Sequence, residues 1–341
     1  MPGSRTKDLV TLDEFIIKSQ QKFPEATGEL SQLLRDLALA GKIIADEINK
    51  TVVRSASNPE GITEEPQERM NRLEEFAETQ LTFALKRSGI VCSVITDDDA
   101  RPNTVDKDGK YIVILDPLDG TFNVEINASI GTIFSIYRRF SETGTLPDES
   151  ESLQPGLNQV ASGYILYGSS VILVFTTKNM GVNLFTLDES LGEFFLAIPD
   201  IRVPEEGKIF SLNTSYFNGW DEGVKRYYAR LRGENLEEGK ESGYSYRYIG
   251  SFVADVHRTL LEGGIFLFPK SSYYPNGKLK LMYQCNPIAL IVEQARGRAS
   301  AIGKRILNIT PQDIHQATPI TLGSVKNVLD AEKSLKESSK E

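Results

Sequence analysis

The sequence is poor in the residues that several common kinds of site require. Its 341 residues include only two cysteines, Cys92 and Cys285, and two histidines, His257 and His315. Two cysteines exclude a disulfide framework and favour a reducing compartment. Two histidines exclude a metal site built from several imidazoles, and we expect each to make a structural hydrogen bond. Neither a Cys-x5-Arg phosphate loop nor a Gly-x-x-x-x-Gly-Lys-Ser/Thr loop is present.

Long apolar runs and an excess of positive charge are also missing. No apolar stretch is long enough for a transmembrane helix, and the first ten residues lack the apolar core of a signal peptide. The formal net charge of −9 argues against nucleic acid as the main partner, because a phosphate backbone requires a basic surface. We therefore expect a cytoplasmic protein of two domains that binds neither nucleic acid nor a membrane.

The apolar pattern divides the chain into a helical first part and a strand-rich middle. Apolar residues at helical spacing predict helices over 11–22, from residue 27 onward, and over about 66–87. Runs of β-branched and aromatic residues predict strands at 91–96, 111–115, 131–137, 161–168, 170–177, 181–187 and 192–198. Beyond a polar surface loop at 141–158, a second half begins near residue 200. It contains predicted helices near 220–232, 251–263, 286–296 and 324–341, and short strands at 208–212, 264–268 and 298–302.

Acidic residues follow two neighbouring strands of the predicted sheet. The strand at 91–96 runs into Asp97 and Asp98, and the strand at 111–115 runs into Asp116-Pro117-Leu118-Asp119-Gly120. Since ligands bind at the carboxyl ends of such strands, we expect these acids to meet. Carboxylates at that density repel unless a cation neutralises them, and oxygen ligands favour Mg²⁺ or Mn²⁺. Such a site polarises a phosphate and activates water; the alternative is that the acids, above all those at 97–99, only cap turns.

The residues around these acids resemble class I fructose-1,6-bisphosphatases, within the lithium-sensitive sugar and inositol phosphatase superfamily. The Asp-Pro-Leu-Asp-Gly motif marks the superfamily as a whole. Segments specific to the class follow in family order at 27–34, 109–120, 131–139, 153–156, 163–169, 254–260, 263–267, 275–279, 285–289 and 313–316. The resemblance implies an α/β (α+β) fold of α-β-α-β-α layers. It places a metal- and AMP-binding domain at 9–200 and a sugar-phosphate-binding domain at 201–335.

The resemblance also implies an activity. It predicts a phosphoric monoester hydrolase that removes the 1-phosphate of fructose 1,6-bisphosphate in gluconeogenesis, with Mg²⁺ as the cofactor and Mn²⁺ as the alternative ion. The family's other properties predict a cytoplasmic homotetramer that AMP inhibits.

Roles follow by position from the same resemblance. The predicted metal-site residues are Asp97, Asp98, Asp116, the carbonyl of Leu118, Asp119, Gln284 and, on a loop that closes on the site, Glu68. The predicted catalytic residues are Asp119 and the two that activate the attacking water, Asp98 and Glu74. The predicted substrate-binding residues are Gly120, Thr121, Asn213, Tyr216, Tyr248, Phe268, Lys278 and, from a neighbouring subunit, Arg247. The predicted AMP-binding residues are Thr27, Gly28, Glu29, Leu30, Ser31, Lys110, Tyr111 and Arg138.

Several positions of the predicted active centre depart from the family pattern. The substituted positions are Asp97, Asp98, Glu68, Glu74, Phe122, Phe252, Phe268 and Gln284. Gln284 stands where the family has a glutamate, so it keeps a carbonyl oxygen but loses a negative charge, and we expect metal affinity to fall. Three hypotheses remain: an active fructose-bisphosphatase, a regulatory or binding paralogue that hydrolyses poorly, and a phosphatase of another substrate, such as sedoheptulose 1,7-bisphosphate or an inositol phosphate.

Overall fold

A computed structural model describes residues 9–21, 28–57, 65–99, 101–178, 180–234 and 242–337. Three helices come first: α1 (Leu12–Gln20), α2 (Glu29–Ser57) and α3 (Pro66–Arg87). The hydroxyl of Thr11 accepts a hydrogen bond from the N–H of Glu14 at 3.2 Å, which caps α1. Proline has no N–H, and it is tolerated at the first position of α3 because an N–H at that position would have no acceptor within the helix. The three helices predicted for this region are confirmed.

An eight-stranded sheet follows the helices. Its strands are β1 (Val91–Thr96), β2 (Asn103–Thr104), β3 (Tyr111–Asp119), β4 (Ile130–Arg138), β5 (Gln159–Tyr167), β6 (Val171–Thr177), β7 (Val182–Asp188) and β8 (Glu193–Ile198). They lie in the order β2-β1-β3-β4-β5-β6-β7-β8. Only β1 and β3 pair in parallel; the other neighbours are antiparallel. The predicted end of β3 at residue 115 is wrong, since the strand continues through the acidic motif to Asp119.

The segment 141–158, predicted as a polar surface loop, is in part anchored to the protein. Glu151 is buried, and its carboxylate accepts hydrogen bonds from the N–H groups of Phe140 and Ser141 at 2.9 and 3.1 Å. The side-chain amide of Gln154, also buried, donates to the carbonyl of Arg138 at 3.0 Å. The composition of the segment does not reveal this anchoring, because a sequence does not distinguish buried polar side chains that have hydrogen-bond partners from polar side chains on the surface.

In the second half of the chain, the described residues form two smaller sheets and four α-helices. The helices are α4 (Glu222–Arg232), α5 (Phe252–Glu262), α6 (Asn286–Gln294) and α7 (Val325–Glu337). The strands are β9 (Ile209–Ser211), β10 (Ser245–Tyr246), β11 (Ile265–Phe268), β12 (Leu279–Lys280), β13 (Arg298–Ala301), β14 (Lys304–Arg305), β15 (Ala317–Thr318) and β16 (Ile320–Gly323). Six form a sheet in the order β10-β9-β11-β16-β13-β14, and β12 pairs with β15.

Three of the four apolar clusters among the described residues pack these elements into five layers. In one, α1, α2 and α3 pack on the face of the large sheet that carries Phe134. In the second, the opposite face of the large sheet, which carries Ile133, packs against α5 and α6, and these helices pack against the second sheet. In the last, α4 and α7 cover the outer face of the second sheet. Because neighbouring residues of a strand face opposite sides, Ile133 and Phe134 belong to different clusters. The predicted α-β-α-β-α arrangement is confirmed.

Within the described residues, no helix combines the length and the apolar character needed to cross a membrane.

Candidate active site

The acidic motif lies on a bulge at the end of β3. Asp116 pairs with Ile133 of β4 and Asp119 pairs with Gly131, so two residues of β3 oppose a single residue, Thr132. Residues three apart in a regular strand point to opposite faces, whereas the extra residue of a bulge restores them to one face. The hydroxyl of Thr132 donates to the carbonyl of Pro117 at 2.8 Å. The bulge thus directs both buried aspartates to the same side of the sheet.

The first turn of α5 holds Asp119 in place. One of its carboxylate oxygens accepts hydrogen bonds from the hydroxyl of Ser251 and from the N–H of Val253, both at 2.9 Å. Gly120 follows in a left-handed conformation, with φ of 82°, and a Cβ there would lie 2.6 Å from the Cβ of Ser251. A glycine is therefore required for the chain to pass so close to the helix.

Burial shifts both aspartates of the motif toward the neutral form. Burial raises the pKa of Asp116 well above its ordinary value, and the charges of Asp97 and Asp119 raise it further. Burial also raises the pKa of Asp119 to about 6, although the hydrogen bonds from Val253 and Ser251 oppose the shift. Two such carboxylates side by side call for a compensating positive charge or a hydrogen-bond donor.

Asp97 joins them from the neighbouring strand. Thr96 pairs with Leu115 across the parallel ladder of β1 and β3, which brings Asp97 beside Asp116. Asp97 keeps an exposed face, but the protein packed around its carboxylate removes water, and this desolvation raises its pKa to about 7, with further repulsion from Asp98. Asp98 itself is exposed. The expectation that acids from two strand ends meet is in agreement with this placement.

Helix α3 contributes two more acids, one turn apart. Glu74 accepts a hydrogen bond from the hydroxyl of Thr121 at 2.6 Å, and Glu78 accepts one from the hydroxyl of Thr96 at 2.8 Å. Both glutamates raise the pKa of Asp97 by repulsion. Glu78 was missed by the sequence reasoning. The signal was available, because residues four apart share one face of a helix and Glu74 was already assigned to the site.

In kind and in charge, the oxygen donors of this cluster fit a hard divalent cation. The carboxylates lie close together and are partly desolvated, so each one raises the pKa of its neighbours. A bound Mg²⁺ or Mn²⁺ would neutralise this repulsion. The arrangement is open, however. Among the described His, Cys, Asp and Glu residues, no group of three or more is close enough to hold an ion.

Gln284 occupies the centre of the cluster with its amide nitrogen, not its oxygen. The nitrogen donates to Asp116 Oδ2 at 2.8 Å and to Asp119 Oδ1 at 3.5 Å. The amide oxygen accepts from the backbone N–H of Lys280 at 3.0 Å, across the π-helical turn Leu281–Cys285. The predicted ligand role requires this oxygen to face a metal and stays a prediction. In this structure the two carboxylates attract the donor end of the amide.

Two further predicted metal-site residues, Glu68 and Leu118, make other contacts. Glu68 is exposed in the first turn of α3, where its carboxylate accepts from the N–H of Glu65 at 3.4 Å, so its closing role stays a prediction. Leu118 is buried within the bulge; its N–H bonds to Asp116 and opposes the rise of that residue's pKa.

A wall of aromatic rings with one lysine forms the predicted sugar-phosphate end of the site. The ring of Tyr216 lies 5.9 Å from that of Phe268 and 5.2 Å from that of Tyr274, measured between centroids. The ammonium of Lys278 lies 5.7 Å from the centre of the Tyr274 ring. Tyr274 was missed by the sequence reasoning, since a tyrosine in a loop carries no periodic signal. Lys278 is exposed and available to an anion.

Asn213 precedes the short segment that carries Tyr216, and Arg247 and Tyr248 lie on the loop after β10. Asn213 caps a short 3₁₀ segment by accepting from the N–H of Ser215 at 3.0 Å. It also hydrogen bonds to Tyr248, and this bond opposes the burial that raises the pKa of Tyr248 to about 12. Arg247 is exposed, with its guanidinium donating to the carbonyl of Tyr246 at 2.9 Å, and its predicted reach to another subunit stays a prediction.

Phe122 lies where the metal end meets the loop that carries Tyr248. Its side chain is 57% exposed, which is unusual for a phenylalanine. The rim of the ring lies close to Gly250, since a Cβ built on that glycine would be 3.3 Å from the ring. Phe122 thus covers the junction between the acidic cluster and the predicted sugar-binding loop with an apolar surface.

A separate cavity lies between α1, the start of α2 and the central strands β3 to β6 of the large sheet. It encloses about 340 Å³. Its lining includes these predicted AMP-binding residues: Gly28, Leu30, Ser31, Tyr111 and Arg138. Gln20 and Lys178, which the sequence reasoning did not identify, also line it. Arg138 and Tyr111 are brought together because they pair across β3 and β4.

The start of α2 borders this cavity. Gly28 adopts φ of 80° immediately before the helix begins. Glu29 and Lys110, predicted to contact AMP, form an ion pair at 2.6 Å and are absent from the lining itself. Thr27 lies outside the described residues.

Comparison with known proteins covers both halves of the fold. Residues 10–199 match the family model described as "Fructose-1-6-bisphosphatase, N-terminal domain", and residues 203–336 match "Fructose-1-6-bisphosphatase, C-terminal domain". The crystal structure of Leishmania major fructose-1,6-bisphosphatase in holo form is 32% identical, with a TM-score of 0.84. The structure of that enzyme in the T-state is 33% identical, with a TM-score of 0.83. Each match covers 96% of this chain and 99% of the Leishmania chain.

Proposed function

Because the chain belongs to the fructose-1,6-bisphosphatase family, we propose that it hydrolyses the 1-phosphate of fructose 1,6-bisphosphate in a magnesium-dependent reaction. That it is a phosphatase follows from the family; the substrate, the ion and the roles of single residues are the proposal. The observation that carries it is the direct link between the two ends of the site. Gln284 contacts the acidic cluster, and the same chain segment carries Lys278 six residues earlier.

This arrangement suits a substrate with two phosphates. The acidic cluster repels a phosphate unless a cation intervenes, so the reacting phosphate belongs with the bound ion. The remote phosphate has no such ion and requires cationic side chains, which Lys278 and Arg247 supply. Binding energy from the remote phosphate then orients the reacting one.

In the proposed mechanism, Asp97, Asp116 and Asp119 would hold the ion. When bound, the ion would polarise the phosphate and lower the pKa of the attacking water. Asp98 and Glu74 would orient that water, and one of the two carboxylates takes its proton while the water oxygen bonds to phosphorus. The bond between phosphorus and the sugar oxygen breaks, and the sugar oxygen takes up a proton from solvent water. Thr121, whose hydroxyl donates to Glu74, orients this carboxylate. The amide of Gln284 must turn for its oxygen to join the ligands.

Phosphate release tests the proposal. Fructose 1,6-bisphosphate, sedoheptulose 1,7-bisphosphate and an inositol phosphate are compared across titrations of Mg²⁺ and Mn²⁺. We expect the fructose ester to have the highest kcat/KM. No release at tens of millimolar of either ion contradicts catalysis, whereas a preference for another ester contradicts only the substrate assignment.

A second candidate function is a regulatory or binding paralogue, and the contact of Gln284 with Asp116 favours it. A neutral donor already satisfies the aspartates that an ion would occupy, so the ion must displace a hydrogen bond. Such a protein binds the sugar phosphate but releases phosphate slowly. Direct binding of fructose 6-phosphate with negligible turnover of the bisphosphate identifies this case.

The cavity beside α2 supports a proposed inhibitory site for AMP. The N-terminus of a helix favours an anion, and Arg138 adds a cation, while Leu30 and Tyr111 give apolar surface for a base. We include in the proposal a homotetramer, a cytoplasmic location, a place in gluconeogenesis, and a division of roles near residue 200. Light scattering on the purified protein, with and without AMP, tests the assembly.

A further inference from the structure

A buried carboxylate on α5 anchors the loop that carries two of the proposed substrate residues. Asp255 is fully buried. Its carboxylate accepts hydrogen bonds from the N–H of Ile249, at 3.1 and 3.0 Å to the two oxygens, and from the N–H of Gly250 at 3.0 Å. These backbone groups directly follow Arg247 and Tyr248. The conformation of the loop is therefore set by one side chain of the neighbouring helix.

Arg258, one turn further along α5, completes the anchor. Its guanidinium donates to Asp255 at 2.7 Å, to the carbonyl of Arg247 at 3.3 Å, and to the hydroxyl of Ser211 at the end of β9. The side chain of Arg258 is 14% exposed and that of Asp255 is 0% exposed. Charge-assisted hydrogen bonds so shielded from water are stronger and geometrically stricter than those at the surface.

The same helix holds the other end of the site. Its first turn binds Asp119 through Ser251 and Val253, two to four residues before Asp255. A single rigid helix thus fixes the acidic cluster and the loop with Tyr248 relative to one another. Small errors in such relative placement are costly for a reaction that needs both ends bound.

We propose that Asp255 and Arg258 are positioning residues that hold the 247–250 loop in the geometry that binds the remote phosphate and sugar. They touch the substrate at no point and act through the loop. The inference rests on the proposed function, because it presupposes a sugar phosphate at this loop. We expect Asp255 and Arg258 to affect the affinity for the sugar phosphate and not the affinity for the metal ion.

The test uses equilibrium binding of fructose 6-phosphate to the full chain, which needs no catalysis. Asp255→Asn keeps the shape but places an N–H₂ group opposite other donors, and Arg258→Met removes the donor while keeping the apolar stem. For each variant we expect the Kd to rise about tenfold or more, the effect of losing a charge-assisted hydrogen bond. We also expect KM for the bisphosphate to rise with it, while the Mg²⁺ concentration for half-maximal activity stays within about twofold.

A matched control separates positioning from general destabilisation. Glu332→Gln makes the same carboxylate-to-amide change at a buried residue of α7 that pairs with Arg298 at 2.9 Å, away from the loop. It should lower the unfolding temperature without changing the Kd. Hydrogen exchange adds a readout on the loop itself, since the amides of Ile249 and Gly250 should exchange faster in Asp255→Asn and not in Glu332→Gln.

The outcomes separate the two proposals. Wild-type protein that binds fructose 6-phosphate, with both variants binding it equally well, overturns the positioning role. That role is also overturned if the two variants and Glu332→Gln weaken binding alike. If Asp255→Asn does not fold, Arg258→Met decides by the same titration. A wild-type protein that binds no sugar phosphate contradicts the proposed function itself, and the positioning role with it.

Discussion

The amide nitrogen of Gln284 donates a hydrogen bond to Asp116 Oδ2 at 2.8 Å, across 168 residues of sequence. Its oxygen is engaged by the N–H of Lys280. This glutamine therefore stabilises the acidic cluster by donating a hydrogen bond to it. A glutamate would instead add a negative charge at the same place. The proposed cation would have to compete with this hydrogen bond, and the first prediction follows from that competition.

Gln284→Glu should raise the affinity for Mg²⁺ by about tenfold or more, because a charged oxygen ligand replaces a neutral one. Without metal, the added charge repels Asp116, so the unfolding temperature should fall; it should rise steeply with added Mg²⁺ by mass action. Calorimetric titration without substrate and thermal unfolding at several Mg²⁺ concentrations measure both effects. An unchanged affinity would count against Gln284 as part of the metal site, and a faster enzyme would favour the weakened paralogue.

Lys278→Met should raise KM for the bisphosphate by roughly 10- to 100-fold, because it removes the cation proposed for the remote phosphate. Steady-state kinetics at saturating Mg²⁺ give KM and kcat separately, and kcat should change far less. Lys270→Met removes an exposed lysine that no role has been assigned to, and should leave KM unchanged. Equal effects of both variants would indicate a loss of general electrostatic attraction instead.

Arg138→Met should weaken AMP binding by about tenfold or more, since Arg138 lines the cavity beside α2 and is the proposed partner of the nucleotide phosphate. Direct calorimetric binding of AMP and its inhibition constant measure the change. KM for the bisphosphate should remain within about twofold. The control, Arg202→Met, removes an arginine that pairs with Asp200 on the surface. A protein in which Arg138→Met leaves AMP binding intact has its nucleotide site elsewhere.

His257 should make the protein less stable in mild acid. Burial lowers the pKa of His257 to about 4, and its Nδ1 pairs with the hydroxyl of Tyr164 at 2.8 Å. Well above pH 6.5 the histidine is neutral in both the folded and the unfolded protein, so its protonation does not change the free energy of unfolding. As the pH falls from about 6.5 to 4, the unfolded chain gains a proton that the folded protein excludes, so the free energy of unfolding falls by about 2 to 3 kcal/mol.

Chemical denaturation at pH 7.5, 6, 5 and 4.5 measures this loss. His257→Gln keeps an acceptor for Tyr164 but cannot titrate, so its stability should fall less over the same range. The difference between the two slopes isolates the histidine from the carboxylates, which titrate in both proteins. Parallel curves for wild type and variant would show that His257 accepts its proton as readily in the folded state.

The sequence by itself determined the main helices and strands and the residue types of the candidate site. Apolar periodicity fixed α3 at residues 66–87, because an amphipathic helix records its buried face in every turn. The β-branched runs of β1 and β3, each followed by aspartates, placed the acids at one edge of the sheet. These features are local, so the order of residues along the chain is enough to reveal them.

Only the tertiary structure decided how those side chains meet. The bulge that turns Asp116 and Asp119 to one face depends on pairing with β4, and the orientation of the Gln284 amide depends on two aspartates far away in sequence. Tyr274 joins the aromatic wall, and Asp255 holds the 247–250 loop, without any periodic signal. Hydrogen bonds and ring contacts between distant segments follow from packing, and short-range patterns do not contain that information.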